Sequence, residues 1–223
     1  SSQSFLKQPT LNTADKGNVR VYCRFRPLNA RELNTTENTL CVTFKSQTTC
    51  AVMGVNPKTG NNEPIEWTYD RTFDPNSTQK DVYEETVLPV IDSVLEGFNG
   101  TIMAYGQTSS GKTHTMLGPD IDDQENKGII PRMVRTVFNR IETSSENIEF
   151  SVKASMCEIY NEKIKDLIDP KKVDLKIHEE KTKGIYIQNI TENWCIDEGE
   201  VFNLIQLGNK NRSVASTLMN SES

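Results

Sequence analysis

One run of eight residues constrains this chain more than any other. Gly106-Gln107-Thr108-Ser109-Ser110-Gly111-Lys112-Thr113 fits GxxxxGK[ST] at every fixed position. Such a loop is usually set between a strand that ends at its first glycine and a helix that begins at its lysine. The backbone N–H groups of the tight turn and of the first helical turn must converge on one anion. The flanks meet this requirement. The run 100–105, GTIMAY, is short, uncharged and suited to a strand buried on both faces, and a helix-compatible segment follows Lys112. In this chemistry Lys112 supplies a point charge to the outer phosphates, and Thr113 offers a hydroxyl to Mg²⁺.

The remaining pattern predicts strands and helices alternating around that buried strand, an α/β layered domain. Residues 1–17 lack apolar periodicity and are expected to form a flexible lead-in, with the domain proper over 18–223. Strands are predicted at 18–25, 40–44 and 65–73, the last two as an antiparallel pair or edge subsheet on either side of the turn-rich 54–64. A helix capped by Ser77, bent at Pro89 and closed by Gly97 is expected next. It is followed by a helix over 131–141, a strand over 149–160, and a helix over 161–168 capped by Asn161. A last helix is opened by the Asp197/Glu200 box and closed by Gly208. Trp67 and Trp194 are expected to be buried or half-buried, and the cysteines to behave as small buried apolar residues.

Composition removes several function classes. Lys+Arg 25 against Asp+Glu 31 gives a net charge of −6, which argues against a general nucleic-acid binder. No stretch approaches the ~18 uncharged apolar residues of a membrane span, so the expectation is a soluble cytoplasmic protein. The 5 cysteines include no CxxC pair, against both a zinc site and a disulfide framework. Asp122, Asp123 and Glu125 fit no EF-hand spacing and read as a solvated loop.

Several segments together carry a resemblance to a known family. YGQTSSGKTHTM at 105–116, CRFRPLN at 23–29, the run 73–102, GIIPR at 128–132, EIYNEKIKDLI at 158–168 and NRSVASTLMNSES at 211–223 resemble the kinesin motor domain, in the family's order. The resemblance implies a P-loop NTPase-like fold, a central, mostly parallel sheet flanked by helices. It also implies ATP hydrolysis coupled to movement on microtubules, and a cytoskeletal location. Arg24, Arg26 and Pro27 are similar to the family's adenine-side motif, and His114 to the histidine on the other face of the base. With Gly106, Gln107, Thr108, Ser109, Ser110, Gly111, Lys112 and Thr113 they make the implied ATP or ADP site, with Thr113 on Mg²⁺. Lys163, His178 and Lys183 match positions that approach tubulin, although by charge pattern alone the lysine-rich 163–183 also reads as a solvated mixed face.

The pattern breaks off at the end. Asn220-Ser-Glu-Ser223 matches only the opening of the family's first switch, and no second switch follows. The catalytic switch residues are therefore unassigned, and the chain is read as the N-terminal part of a motor whose own hydrolytic competence is in question. Two alternatives stay open: a nucleotide- and microtubule-binding module without catalysis, and a small-molecule kinase whose lid would draw on Arg132, Arg135 and Arg140.

Overall fold

The computed structural model describes residues 19–34, 41–145, 147–182 and 184–212. The expected lead-in at 1–17, Lys183 and the switch-like end at 213–223 lie outside these residues. The chain divides into two compact units, 1–77 and 78–223.

The first unit opens with β1 (Tyr22–Arg24), shorter than the alternation over 18–25 predicted, and the short helix α1 (Ala30–Leu33). Asn29 caps α1 by accepting from the N–H groups of Arg31 (3.0 Å) and Glu32 (2.9 Å). A three-stranded antiparallel meander follows: β2 (Val42–Phe44), β3 (Thr49–Val55) and β4 (Asn62–Thr68), in that spatial order. Of the two expected arrangements, the antiparallel subsheet forms and the direct pairing of 40–44 with 65–73 does not. β3 lies between them, built partly from residues expected to be turn, with Cys50 opposite Trp67 and Met53 opposite Pro64. Pro64 is tolerated because β4 is an edge strand whose outer side needs no N–H donor.

Residues 65–73 also do not form one strand. At Asp70 the chain turns away: its carboxylate accepts from Val21 N–H (2.8 Å) and its own N–H donates to Val21 O (3.0 Å). That turn delivers β5 (Arg71–Phe73) to β1 in a parallel pairing, with Cys23 opposite Thr72. Trp67 is 53% exposed, contrary to expectation. Cys50, Ala51 and Phe73 are the buried apolar residues of this unit.

In the second unit the predicted bent helix is two helices, α2 (Gln79–Thr86) and α3 (Leu88–Leu95). Pro89 lacks an N–H and its ring collides with a preceding carbonyl, so the chain restarts at Val87 and places the proline in the first turn of α3. Thr78, not Ser77, is the cap of α2, in a reciprocal box with Asp81. Gly97 does follow α3 in the left-handed conformation (φ 100°). Gly100 packs against α3 so closely that a Cβ there would lie 2.6 Å from Val90 Cγ1.

The expected strand at 100–105 is not formed. Met103 is 81% and Tyr105 96% exposed, and no described segment pairs with them. An apolar run can only be buried on both faces when neighbouring strands supply those faces.

After the glycine loop come α4 (Lys112–Met116) and the amphipathic α5 (Ile129–Glu142), which begins two residues before the predicted start. The strand expected over 149–160 is broken into β6 (Val152–Ala154) and β7 (Cys157–Tyr160). The helix expected over 161–168 is instead β8 (Lys163–Asp166), antiparallel to β7. Asn161 (φ 48°) and Glu162 (φ 61°) both take the left-handed conformation, the two-residue hairpin turn whose twist matches its strands. Ile164 and Asp166 then alternate inward, a period of two that overrides the apparent helical spacing.

A second hairpin, β9 (Ile177–Glu180) with β10 (Gly184–Ile187), adjoins the first through an Ile164–Leu175 bridge. β11 (Asn193–Cys195) pairs with β6, and α6 (Glu198–Asn211) ends the described chain. Trp194 is 63% exposed with the Lys153 ammonium 4.4 Å from its ring centroid, another correction to an expected burial.

Asp197 caps α6 as predicted, accepting from Glu200 N–H (2.9 Å). Gly208 does not close it. The glycine is buried within the helix where the Met156 side chain crosses, leaving no room for a Cβ. The packed centre joins Val134 and Phe138 of α5 with Cys195 and Val201, and Val152, Ala154 and Phe202 lean on it. At about 2 kcal/mol per fully buried large apolar side chain, this cluster is what holds α5 and α6 against the β6–β11 pair. The cysteines divide: Cys50 and Cys195 are buried, Cys23 and Cys157 half-buried and Cys41 exposed, so the expectation fails at Cys41. No helix among the described residues is long and apolar enough to cross a membrane.

Candidate functional site

The loop 106–113 has a backbone few sequences could adopt. Gly106 (φ 156°), Ser109 (φ 66°) and Gly111 (φ 95°) all have positive φ, which curls the chain into a tight turn that the Ser110 N–H closes on Gln107 O (3.2 Å). A Cβ at Gly106 would stand 2.5 Å from Ser110 Oγ, so only glycine permits the curl. Gly111 is the N-cap of α4 and no side chain caps that end, leaving the first N–H groups of the helix directed into the loop. Lys112 Nζ donates to the carbonyls of Gly106 (2.7 Å) and Gln107 (2.8 Å), which folds the ammonium back over the loop. Thr113 and His114 are exposed on the first turn of α4. Converging N–H groups, one ammonium and one accessible hydroxyl fit a phosphate chain with a hard divalent cation.

A second layer fixes α4 from behind. Gly128 N–H donates to Leu117 O (2.8 Å), and a Cβ on Gly128 would lie 2.5 Å from the carbonyl carbon of Met116. The loop 118–128 is tied to α5 by Arg132, which donates to the carbonyls of Glu125 (2.7 Å) and Lys127 (3.1 Å). Lys127 is buried and donates to Gln124 Oε1 (3.1 Å). Burial, with Arg135 and Arg132 nearby, pushes its ammonium pKa down. Arg135 faces Glu198 (3.5 Å) and Arg140 faces Asp92 (3.1 Å). The three arginines that a kinase lid would use are therefore engaged in holding α5 to its surroundings.

The sequence pattern assigns no individual role to two residues of this layer, Gln79 and Gly128. Gln79, at the start of α2, is only 5% exposed, and its Nε2 lies 2.6 Å from His114 O, 3.0 Å from Asn126 O and 3.3 Å from His114 Nδ1. Nothing in the local sequence pattern marks it as buried. Gly128 was quoted only as part of a motif.

The other expected site residues are placed as follows. In the first unit, Arg24 lies on β1 and burial lowers its guanidinium pKa. Arg26 forms a two-pronged ion pair with Glu32 (2.6 and 2.7 Å) and also donates to Pro27 O (2.9 Å). The guanidinium of Arg26, with the Asn29 N–H, holds the Glu32 carboxyl at a pKa of about 2. His114 belongs to the second unit.

Lys163 is exposed at the tip of the β7–β8 hairpin, and His178 is exposed on β9, its ring centroid 6.1 Å from that of Tyr186 across the pair. The Ile164–Leu175 bridge brings their hairpins together, whereas Lys183 lies outside the described residues. Within the same basic segment, Lys172 is bonded to Thr191 (2.9 Å) and Lys176 to Asp174 (2.9 Å).

The family model described as kinesin motor domain matches residues 24–223. The chain belongs to the kinesin motor domain family. Similar proteins include a kinesin heavy chain of Syncephalastrum racemosum, 43% identical over 206 residues, 92% of this chain and 21% of that protein. Kinesin-related protein 5 of Dictyostelium discoideum is 48% identical over 92% of this chain and 20% of its own length. For human kinesin-1 heavy chain the identity is 42%, with the same two coverages.

The chain thus spans about a fifth of the length of these relatives. A solved structure described as that of a fast kinesin superposes with a TM-score of 0.81 at 38% identity, covering 92% of this chain and 56% of that one. The α/β architecture is accordingly that of part of a kinesin motor domain.

Proposed function

We propose that residues 106–114 bind the phosphates of Mg²⁺·ATP and Mg²⁺·ADP in an ATP-driven, microtubule-dependent motor of the cytoplasmic cytoskeleton. The observation that carries this reading is the curled loop: three positive-φ residues, an uncapped helix start and Lys112, at the positions that the motif requires and in a chain of the kinesin family.

The loop's backbone N–H groups other than that of Ser110, which donates to Gln107 O (3.2 Å), would bind and orient the phosphate oxygens, since Gly106 and Gly111 already hold the curl. Lys112 would exchange its bonds to the carbonyls of Gly106 and Gln107 for bonds to the outer phosphates, so charge is neutralised only when the ligand is in place. Thr113 Oγ1 would supply one oxygen ligand to Mg²⁺, whose chemistry is to offset the negative charge of the phosphates. Arg24, Arg26, Pro27 and His114 are assigned to the base on the strength of the resemblance. Lys163 and His178, with Lys183, are assigned to the acidic filament, as exposed groups on adjoining hairpins.

The test is Lys112→Ala, with nucleotide binding followed by isothermal titration. The variant keeps the glycine curl and loses the one cation folded over it, so ADP and ATP affinity should fall at least tenfold with the fold retained. Equal affinity in a folded variant would refute the phosphate assignment.

A further inference from the structure

The buried amide of Gln79 has no part in forming α2 beyond its first turn, and its contacts lead elsewhere. Its nitrogen stands within hydrogen-bond reach of three acceptors: the carbonyls of His114 and Asn126 and the ring Nδ1 of His114. Two carbonyl oxygens at 2.6 and 3.0 Å fix the amide's orientation, because the reversed amide would set oxygen against oxygen. An amide nitrogen has no lone pair to offer, so in the ring contact Nδ1 accepts and the imidazole proton sits on Nε2. Two N–H bonds serve three acceptors, one of them shared.

One side chain of α2 therefore binds the first turn of α4, the ring that turn carries, and the 118–128 loop behind it. That turn also carries Lys112 and Thr113.

We propose that Gln79 is a positioning residue of the nucleotide site, acting through His114. It sets the orientation and tautomer of the imidazole and holds the His114–Thr115 peptide of α4 in the place the ligand requires. The inference rests on the phosphate-loop reading above, and it adds a residue 27 positions before the loop, by the difference between 106 and 79. A buried side-chain amide with satisfied bonds is rigid; in its absence Asn126 O and the His114 ring nitrogen lose this donor, while His114 O keeps the Gly118 N–H (2.9 Å). The imidazole would then lose one of the contacts that orient it, and a ligand would have to supply more of that order on binding.

The experiment uses the full-length protein and four variants, one of them the Lys112→Ala variant described above. Gln79→Met keeps the chain length and removes both N–H groups. Gln79→Asn keeps the amide and withdraws it by one methylene. Tyr83→Phe removes a different buried bond of α2, from Tyr83 to Thr136 (2.5 Å), which touches α5 and not α4. Mg²⁺·ADP affinity is measured by titration, and ¹⁵N shifts of the imidazole nitrogens are recorded, with His178, the other histidine of these 223 residues, as internal reference.

In each folded Gln79 variant the expected result is an affinity about tenfold lower and a displaced Nδ1 resonance of His114, with His178 unmoved and Tyr83→Phe binding like the parent. A folded Gln79→Met or Gln79→Asn that binds within twofold of the parent overturns the proposal, as does an equal loss in Tyr83→Phe. If neither the parent nor Lys112→Ala binds Mg²⁺·ADP, or both bind it equally, it is the phosphate reading that fails. If Lys112→Ala alone loses binding, only the role of Gln79 is refuted.

Discussion

Replacing Asp166 by asparagine should destabilise the second unit more than any surface change, and the structure says by how much. The Asp166 side chain is 0% exposed at the end of β8. One carboxylate oxygen accepts from the N–H groups of Ile168 (2.8 Å) and Asp169 (3.0 Å), the other from Thr191 N–H (2.7 Å). Burial pushes its pKa up, but the bonds from Asp169, Thr191 and Ile168 together outweigh it and hold the carboxyl below its ordinary range.

An asparagine can keep the first oxygen's two bonds. Its NH₂ then faces the Thr191 N–H, donor against donor. One charge-assisted bond worth roughly 1.5–3 kcal/mol is lost and a buried donor is left unsatisfied, so the expected cost is about 3 kcal/mol. Urea unfolding of parent and variant at neutral pH measures it, with the slope checked for constancy. Because the folded pKa is depressed, this contribution is fully present above the unfolded carboxyl pKa and disappears as pH falls through the folded one. The difference between parent and variant should shrink with acid. A variant within about 0.5 kcal/mol of the parent, or a difference independent of pH down to the acid transition, would refute the reasoning.

Gly128→Ala should cost about 3 kcal/mol or more and weaken nucleotide binding, because the new Cβ would press on the backbone of Met116 and Leu117 behind α4; thermal unfolding and ADP titration check both. Glu162→Gly should stabilise the β7–β8 hairpin by about 1 kcal/mol, since glycine takes the left-handed turn conformation without strain, as denaturant midpoints would report. The Glu32 carboxyl should titrate near 2 by NMR and return toward its ordinary value in Arg26→Ala. In the full-length protein, Lys163→Ala should lower microtubule affinity and flatten its salt dependence while leaving basal turnover unchanged, as co-sedimentation at several ionic strengths would show.

The glycine loop was legible because its chemistry is local: eight positions specify both the curl and the charge. The α5 and α6 stripes were legible for the same reason, each being one helix face. What misled the reading were patterns whose meaning depends on partners. Asn161 to Ile168 has helical spacing on paper, yet two left-handed turn residues and a facing β7 make it a strand. The run 100–105 looks like a buried strand, but strand burial is a property of its neighbours. Val87 ends a helix because Pro89 acts backward along the chain. Gln79 was invisible because burial of a polar residue is decided by the carbonyls of His114 and Asn126, 35 and 47 positions away.

The central claim is that this chain's loop binds nucleotide in the service of a microtubule motor. It is tested most directly by ATP turnover of the full-length protein with and without polymerised tubulin, beside Lys112→Ala. The account predicts slow basal turnover, a saturable stimulation of at least tenfold by microtubules, and the loss of both in the variant. Nucleotide binding with no turnover that microtubules accelerate would contradict it, and would make the protein a nucleotide- and filament-binding module instead.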